Sequence, residues 1–195
     1  MANVLLYFTH PNPGSLNGAA ADKIEQIAKD NGHDVRRKNL YELDFNPVLG
    51  PKDFSAWQNQ SVPDDVKAEQ EDIKWAERLV FVYPVWWNER PALLKGYLDR
   101  VLTFGFAYAM DDKGLHKLLD GKTAMVAITY GSPDGLYDGL TIDQKYITDN
   151  MNKGTMNFCG ITVKETVETF GVLAEENKPE QHLKDVAAAA ERYLA

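Results

Sequence analysis

Short apolar runs alternate with helical patterns along the chain. Val4–Phe8 and Leu79–Tyr83 are continuous apolar runs, which are typical of parallel strands buried on both faces. Thr123–Thr129 and Ile161–Phe170 predict two more strands, and the cations within Asp34–Leu40 predict a polar strand at a sheet edge. Between the strands, apolar residues at helical spacing predict helices over 15–31, from Pro63, from Pro91, near 142–157 and from Pro179.

This order of elements is a β-α unit repeated five times. It predicts an α/β fold with a doubly wound parallel sheet, right-handed crossovers and helices on both faces. A chain of 195 residues without an internal repeat or a clear linker predicts a single domain over 1–195. Residues 44–63 contain three prolines and predict a long loop excursion. Loops of that length are uncommon unless they are functional.

Composition and charge narrow the classes of function. The chain has 21 Lys and Arg against 29 Asp and Glu, and its net charge of −8 argues against nucleic-acid binding. Cys159 is the single cysteine, so no intramolecular disulfide can form, and with four scattered histidines we expect no metal site. No apolar stretch reaches the roughly 20 residues that cross a bilayer, and the N-terminal run predicts a strand and not a signal peptide. We therefore expect a cytoplasmic protein that does not insert into a membrane.

Three loops are the predicted place for chemistry. In an open parallel sheet, ligands bind beyond the carboxyl ends of the strands, where the strand order reverses. The loops that follow the first, third and fourth predicted strands are His10–Asn17, Pro84–Arg90 and Thr129–Tyr137. These segments also have the most unusual composition in the chain. Fold and composition therefore indicate the same loops.

The first loop ends where a helix opens. Ser15 and Asn17 stand at that opening, where free backbone N–H groups and the positive end of the helix dipole suit a phosphate. The same two residues are common N-caps with no ligand, and this segment leaves both interpretations open. The loop has neither the Gly-Lys-Ser/Thr ending of a Walker loop nor the glycine-rich dinucleotide fingerprint. Direct ATP chemistry is therefore not expected.

The other two loops suit a flat ligand. Trp86 and Trp87 follow a buried strand, and a ring such as an isoalloxazine would stack on them. The alternative is that one indole plugs the sheet edge and the other lies in a dimer interface. In the third loop, glycines allow close backbone approach, so N–H groups can donate to a ring carbonyl. Tyr137 can donate a hydrogen bond or a proton there, and ordinary loop structure is the alternative.

Several short motifs occur together in a characteristic order. The first is His10-Pro11 with Ser15-x-Asn17, and the most specific is YPVWW…PALLKGYLDRVL…GFAY over Tyr83–Tyr108. The others are DFNP over 44–47, AEQ over 68–70 and NFCG over 157–160. With these motifs the chain resembles the flavodoxin-like NAD(P)H:quinone oxidoreductase family, from the first strand to about residue 170. The resemblance implies a five-stranded sheet of order 2-1-3-4-5.

The resemblance also implies an activity. Members are flavin-binding homodimers in which NAD(P)H reduces the flavin and a quinone or similar acceptor reoxidises it. The mechanism is two-electron and ping-pong, with hydride transfer to and from flavin N5. The DFNP excursion favours FAD over FMN. Two alternatives stay open: a flavodoxin-type electron carrier, whose acidic charge would suit a redox partner, and a regulatory subunit of an ion-efflux system.

Site residues carry over from the resemblance position by position. The cofactor-binding positions are His10, Ser15, Leu16, Asn17, Pro84, Val85, Trp86, Trp87, Asn88, Asp99, Thr129, Tyr130, Gly131, Ser132 and Tyr137. Tyr137 also matches the active-site tyrosine, and Asp143 stands where the animal enzymes have a histidine six residues later. Tyr108 matches an acceptor-pocket aromatic contributed across the dimer, and Met110 stands at the second pocket tyrosine.

Overall fold

A computed structural model describes residues 1–136, 145–174 and 178–195 of the chain. Its main sheet has five parallel strands, and a separate two-stranded hairpin follows the third of them. In chain order the strands are β1 (Asn3–Phe8), β2 (Asp34–Asn39), β3 (Arg78–Val85), the hairpin strands β4 (Tyr108–Asp111) and β5 (Gly114–Lys117), β6 (Thr123–Tyr130) and β7 (Thr162–Thr169).

The main sheet has the strand order β2-β1-β3-β6-β7. Counting only its own strands, this is the predicted order 2-1-3-4-5, and the flavodoxin-like α/β fold is confirmed. The order reverses between β1 and β3, so the carboxyl ends of β1, β3 and β6 lie side by side.

Helices cover both faces of the sheet. They are α1 (Leu16–Asp30), α2 (Pro51–Gln58), α3 (Asp64–Trp75), α4 (Ala92–Val101), α5 (Lys145–Asp149) and α6 (Pro179–Tyr193). The chain continues from α5 as a π-helix over Asn150–Asn157. The helices α1 and α6 pack on one face, where Ile24 and Val186 are fully buried. On the other face lie α3, α4 and the π-helix, which bury Val66, Leu94 and Met151.

The polar strand β2 lies at the edge, as its sequence predicts. None of its side chains is fully buried, as is typical of a strand with a neighbour on one side only. Its cations are paired with acids on the flanking helices: Arg36 with Asp72, Arg37 with Asp22 and Lys38 with Glu69.

The excursion over 44–63 is not the continuous loop that its composition predicts, because it contains α2. Pro51 begins this helix, and the Asp53 carboxylate accepts a hydrogen bond from the Gly50 N–H at 2.9 Å. Arg100, which is buried, donates to Asp53 at 2.8 Å and to Asp65 at 2.6 Å. The excursion is therefore an ordered wall fixed to α4.

The hairpin of β4 and β5 was not predicted from the sequence. Each strand has four residues, too short for a pattern of buried and exposed positions to be recognised. Its turn is stabilised by neighbouring residues: the Lys113 N–H donates to the Asp111 carboxylate at 2.8 Å, and Gly114 has a φ of +109°. The helix predicted near 142–157 is present from Lys145 onward, and 142–144 lie outside the described residues.

Candidate functional site

The three predicted loops meet at the carboxyl edge of the sheet. The Asn17 side-chain amide donates to the Thr129 hydroxyl at 2.8 Å, which joins the start of α1 to the end of β6. The His10 and Trp86 rings lie with centroids 6.0 Å apart, which brings the first loop to the end of β3. Residues far apart in sequence therefore form one continuous surface, as the sheet topology predicts.

The first loop is wound tightly over the start of α1. Ser15 is the N-cap of α1, and its hydroxyl accepts from the Gly18 N–H at 3.2 Å. The Asn12 side chain accepts from the Gly14 N–H at 2.9 Å. A Cβ on Gly18 would lie 1.8 Å from the Pro13 carbonyl oxygen, so only glycine permits this approach.

Capping and anion binding are compatible in this loop. Ser15 caps the helix, yet within the described residues the backbone N–H groups of Leu16 and Asn17 have no acceptor. Two donors at a helix N-terminus suit a phosphate. The Thr9 hydroxyl oxygen and the Asn17 amide oxygen are also buried here without a described partner. A ligand with hydroxyl or amide donors and phosphate oxygens would match this set of groups.

The second loop is a strained turn. The Trp86 N–H donates to the Glu89 carbonyl at 2.9 Å, and the Glu89 N–H donates back at 3.2 Å. The two residues between them, Trp87 and Asn88, have φ of +53° and +61°. Such a turn normally takes Asn-Gly, and a left-handed residue other than glycine costs about 1–2 kcal/mol. Strain of this kind occurs preferentially at functional sites.

Both indoles of this turn are open to solvent. Trp87 is 99% exposed and Trp86 is 41% exposed, so neither is buried against the sheet edge. Pro84 and Val85, in contrast, belong to β3 and are buried. Of the predicted segment, only the stretch from Trp86 to Asn88 therefore presents side chains to a ligand.

The third loop offers backbone donors. The carbonyls of Tyr130 and Ser132 accept from the N–H groups of Val172 and Gly171 at 3.0 and 2.7 Å. The N–H groups of Gly131 and Ser132 have no acceptor in the described part of the chain. They are the kind of donor that the sequence predicts for a ring carbonyl.

The Tyr130 side chain turns away from this surface. It is buried, its hydroxyl donates to Glu168 at 2.7 Å, and its ring stacks on Phe170 with centroids 4.4 Å apart. Alternate side chains of a strand point to opposite faces of the sheet, and the side chain of Tyr130 points to the face covered by α3 and α4. Only its backbone therefore lies at the carboxyl edge of the sheet. Tyr137 and Asp143, the predicted catalytic residues, lie outside the described residues.

Three other predicted residues lie on α4 and on the hairpin. Asp99 is on α4 and pairs with Lys95 at 2.6 Å. Asp99 and Tyr108 line a cavity of about 670 Å³ beside α2 and α4, which they share with Trp57 and Phe104. Met110 is exposed on the hairpin. Asp99 and Tyr108 also line a second, smaller cavity together with Arg90, the last residue of the second loop.

Arg90 is a residue that the sequence analysis missed. It follows the Trp86–Glu89 turn directly, it is 5% exposed, and it donates to Asn150 at 2.8 Å and to Thr155 at 3.1 Å. The available signal was an arginine that follows the tryptophan pair within the same loop, but the sequence does not show that this cation is buried and needs partners. Cys159 is buried, as predicted, and burial raises the pKa of its thiol to about 11, which argues against a nucleophile.

Metal-binding clusters and membrane-spanning helices are absent from the ranges that the structure describes. No three His, Cys, Asp or Glu side chains there lie together as metal ligands would. Among the helices described, none combines the length and the apolar character needed to cross a bilayer.

Comparison with known proteins extends these observations. The model of a family described as having a flavodoxin-like fold matches residues 2–194. An uncharacterized NAD(P)H oxidoreductase of Haemophilus influenzae is 40% identical over 170 residues, which are 87% of this chain and 83% of that protein. The human ribosyldihydronicotinamide dehydrogenase [quinone] is 29% identical over 205 residues, which are 95% of this chain and 87% of that protein.

A solved structure of a named quinone oxidoreductase is also similar to this chain. The NAD(P)H:quinone oxidoreductase from Methanothermobacter marburgensis superimposes with a TM-score of 0.85 at 25% identity, over 98% of this chain and 96% of that one. Family model, sequence relatives and structure agree over nearly the whole length. The chain therefore belongs to the flavodoxin-like NAD(P)H:quinone oxidoreductase family and is an enzyme of the NAD(P)H oxidoreductase type.

Proposed function

We propose that the protein is a flavin-dependent oxidoreductase that transfers two electrons from NAD(P)H to quinone-like acceptors by a ping-pong mechanism. The observation that carries this proposal is the continuous surface of the three loops. It has backbone donors at both ends that lack an acceptor among the described residues, and an exposed tryptophan pair between them. The names of the relatives, which are NAD(P)H oxidoreductases and quinone dehydrogenases, support it.

Each end of the surface has a role in this proposal. The N–H groups of Leu16 and Asn17 hold the phosphate of the cofactor, and those of Gly131 and Ser132 donate to its ring carbonyls. Trp86 and its neighbour Trp87 pack beside the ring and exclude water from that side. The bound flavin supplies the hydride chemistry, and the chain supplies orientation and donors.

The catalytic assignments remain part of the proposal. Tyr137 donates a hydrogen bond to the negative charge that develops during reduction. Asp143 stands at the sequence position of the histidine of the animal enzymes, and a carboxylate cannot take over the role of a cationic imidazole. We therefore expect Tyr137 to act without the tyrosine–histidine relay of the animal enzymes.

We propose a homodimer in which Tyr108 and Met110 of one subunit line the acceptor pocket of the other. Tyr108 lines a cavity with Arg90 of its own chain, and its place on a hairpin outside the main sheet suits a residue that also reaches a second copy. The surface around it is apolar, as an interface requires. Its exposed members are Phe104, Met110, Leu115, Leu118 and Phe158.

We propose FAD as the flavin, with FMN as the alternative, and a cytoplasmic location for the enzyme. The support for FAD is the ordered excursion with α2, which adds a wall beside α4 that a bare five-stranded sheet would lack. Heating the purified protein and identifying the released flavin decides between the two cofactors.

Anaerobic reduction tests the proposed function. The purified protein is expected to be yellow, to bleach when NADH or NADPH is added, and to regain its colour with a simple quinone. Bleaching that occurs only with an added reductase would favour the electron carrier instead. Protein that stays colourless after incubation with both flavins would overturn the flavin proposal.

A further inference from the structure

The Trp86–Glu89 turn is held without the burial of its own side chains. Trp87, at its tip, is 99% exposed, and Asn88 next to it also has a left-handed backbone. Two hydrogen bonds between Trp86 and Glu89 close the turn, but they do not fix its direction relative to the sheet. The His10 ring lies beside Trp86 at one end of the turn, and a further contact holds the other end.

Arg90 provides that contact. Its guanidinium donates to the Asn150 amide oxygen at 2.8 Å, to the Thr155 hydroxyl at 3.1 Å and to the Met151 sulfur at 3.0 Å. Its backbone N–H donates to the Glu89 carboxylate at 2.9 Å. The residue that ends the turn is thus anchored in a segment 60 residues away in sequence.

The π-helical conformation of that segment makes the anchor possible. In an α-helix of 3.6 residues per turn, Asn150 and Thr155 would point in different directions, because five residues are well over one turn. A π-helix brings residues i and i+5 into register, and here the Thr155 hydroxyl also donates to the Asn150 carbonyl at 3.1 Å. Both side chains therefore face Arg90 together.

The anchor is chemically specific. Arg90 is 5% exposed, and among the described residues the only carboxylate within ion-pair distance is Glu89, at 3.4 Å from Nε. A buried guanidinium that lost its neutral acceptors would be strongly destabilised, so its position is tightly determined. Arginine presents several donors in a fixed planar arrangement, whereas lysine presents one mobile ammonium group.

We propose that Arg90 is a positioning residue for the cofactor ring: by anchoring the strained turn to the π-helix, it holds Trp86 and Trp87 in the orientation that binds the flavin. This inference rests on the proposed function. In this inference the role of the π-helix is to hold Arg90, which agrees with the frequent occurrence of π-helical turns at functional sites.

The test uses the two turn indoles as reporters. The chain has four tryptophans, so a Trp57→Phe/Trp75→Phe background leaves only Trp86 and Trp87. In this background, Arg90→Met is expected to lower the fluorescence anisotropy of the ligand-free protein and to raise the dissociation constant for FAD about tenfold or more. Arg90→Lys should recover part of both effects. The control Arg192→Met removes an exposed arginine paired with Glu165 and should change neither.

The outcomes separate this inference from the proposed function. Folded Arg90→Met protein with unchanged anisotropy and unchanged FAD affinity would overturn the inference. If Arg90→Met does not fold, the Asn150→Leu/Thr155→Val variant removes the acceptors from the other side and should show the same two changes. If the wild type binds neither FAD nor FMN, the proposed function fails, and the anisotropy alone still shows whether Arg90 holds the turn.

Discussion

Two segments of the same surface are kept in shape by different means. The loop that enters α1 is fixed by its immediate neighbours: Ser15 caps the helix, Asn12 accepts from Gly14, and Gly18 lets the Pro13 carbonyl approach closely. The Trp86–Glu89 turn is strained, exposed and fixed by contacts from the distant π-helix.

The difference shows what each segment requires of the sequence. The first loop needs a few residues of the right type at neighbouring positions, so changes within it should have large local effects. The turn needs an arginine and a helix of unusual geometry to meet across the fold. Its own residues can change with little loss of folding stability, whereas ligand binding should suffer.

The largest effect is expected from Gly18→Ala in the first loop. Alanine favours a helix over glycine by about 1 kcal/mol, but here its Cβ would lie 1.8 Å from the Pro13 carbonyl oxygen. We expect a net destabilisation of about 3 kcal/mol, the upper end for overpacking, and loss of flavin binding. Chemical denaturation and a flavin titration measure the two effects.

Gly14→Ala is the matched control in the same loop. Its Cβ would lie 3.3 Å from the Asn12 side-chain oxygen, a contact that a small shift relieves. If both variants were equally stable, the close approach at Gly18 would not be what shapes the loop.

Thr129→Val tests the bond between the first and third loops. The variant keeps the shape of the side chain but removes the acceptor of the buried Asn17 amide, which lies 2.8 Å away in the wild type. An orphaned buried donor should reduce the free energy of unfolding by about 1–2 kcal/mol. Thr129→Ser, which keeps the hydroxyl, should lose less, and equal losses would contradict the role of the hydrogen bond.

Trp87→Gly should weaken flavin binding without a large loss of folding stability. Glycine relieves the left-handed backbone at this position, and little packing is lost because the indole is 99% exposed. Folding stability should rise or stay within about 1 kcal/mol of the wild type, while flavin affinity falls several-fold. A large loss of stability would show that the indole supports the fold and does not serve the ligand.

The smallest effect on folding stability is expected from a fall in pH, and this effect should leave the conformation of both loops unchanged. Hydrogen bonds from Arg100 lower the pKa of Asp65 below its usual 3.8. The stability that this pair contributes is complete above about pH 4 and is lost as the pH falls through the lowered pKa. The free energy of unfolding, measured between pH 5 and pH 2, should contain a contribution from this pair of about 1 kcal/mol or less. Asp65→Asn should abolish that contribution. If Asp65→Asn had the same pH profile of stability as the wild type, the pair would not contribute to stability.

Local signals explain why much of the fold was predictable. The apolar runs of β1, β3 and β6, the cap at Ser15 and the prolines at helix starts are all contained in a few neighbouring residues. The topology then placed the three loops at one edge. The features that sequence analysis missed are held by contacts between distant residues. Helix α2 is fixed by the bond from Arg100 on α4 to Asp53, and the buried position of Arg90 is fixed by its bonds to the π-helix. The inward turn of Tyr130 depends on strand register, which composition does not fix.

A titration of the ligand-free protein with FAD and with FMN tests the central claim most directly. The claim is that the three loops form one flavin site that the Trp86–Glu89 turn borders. It predicts saturable binding of one flavin per chain, with quenching of tryptophan emission and with loss of binding in Gly18→Ala but not in Gly14→Ala. Absence of saturable binding by either flavin, or equal binding by the two glycine variants, would contradict it.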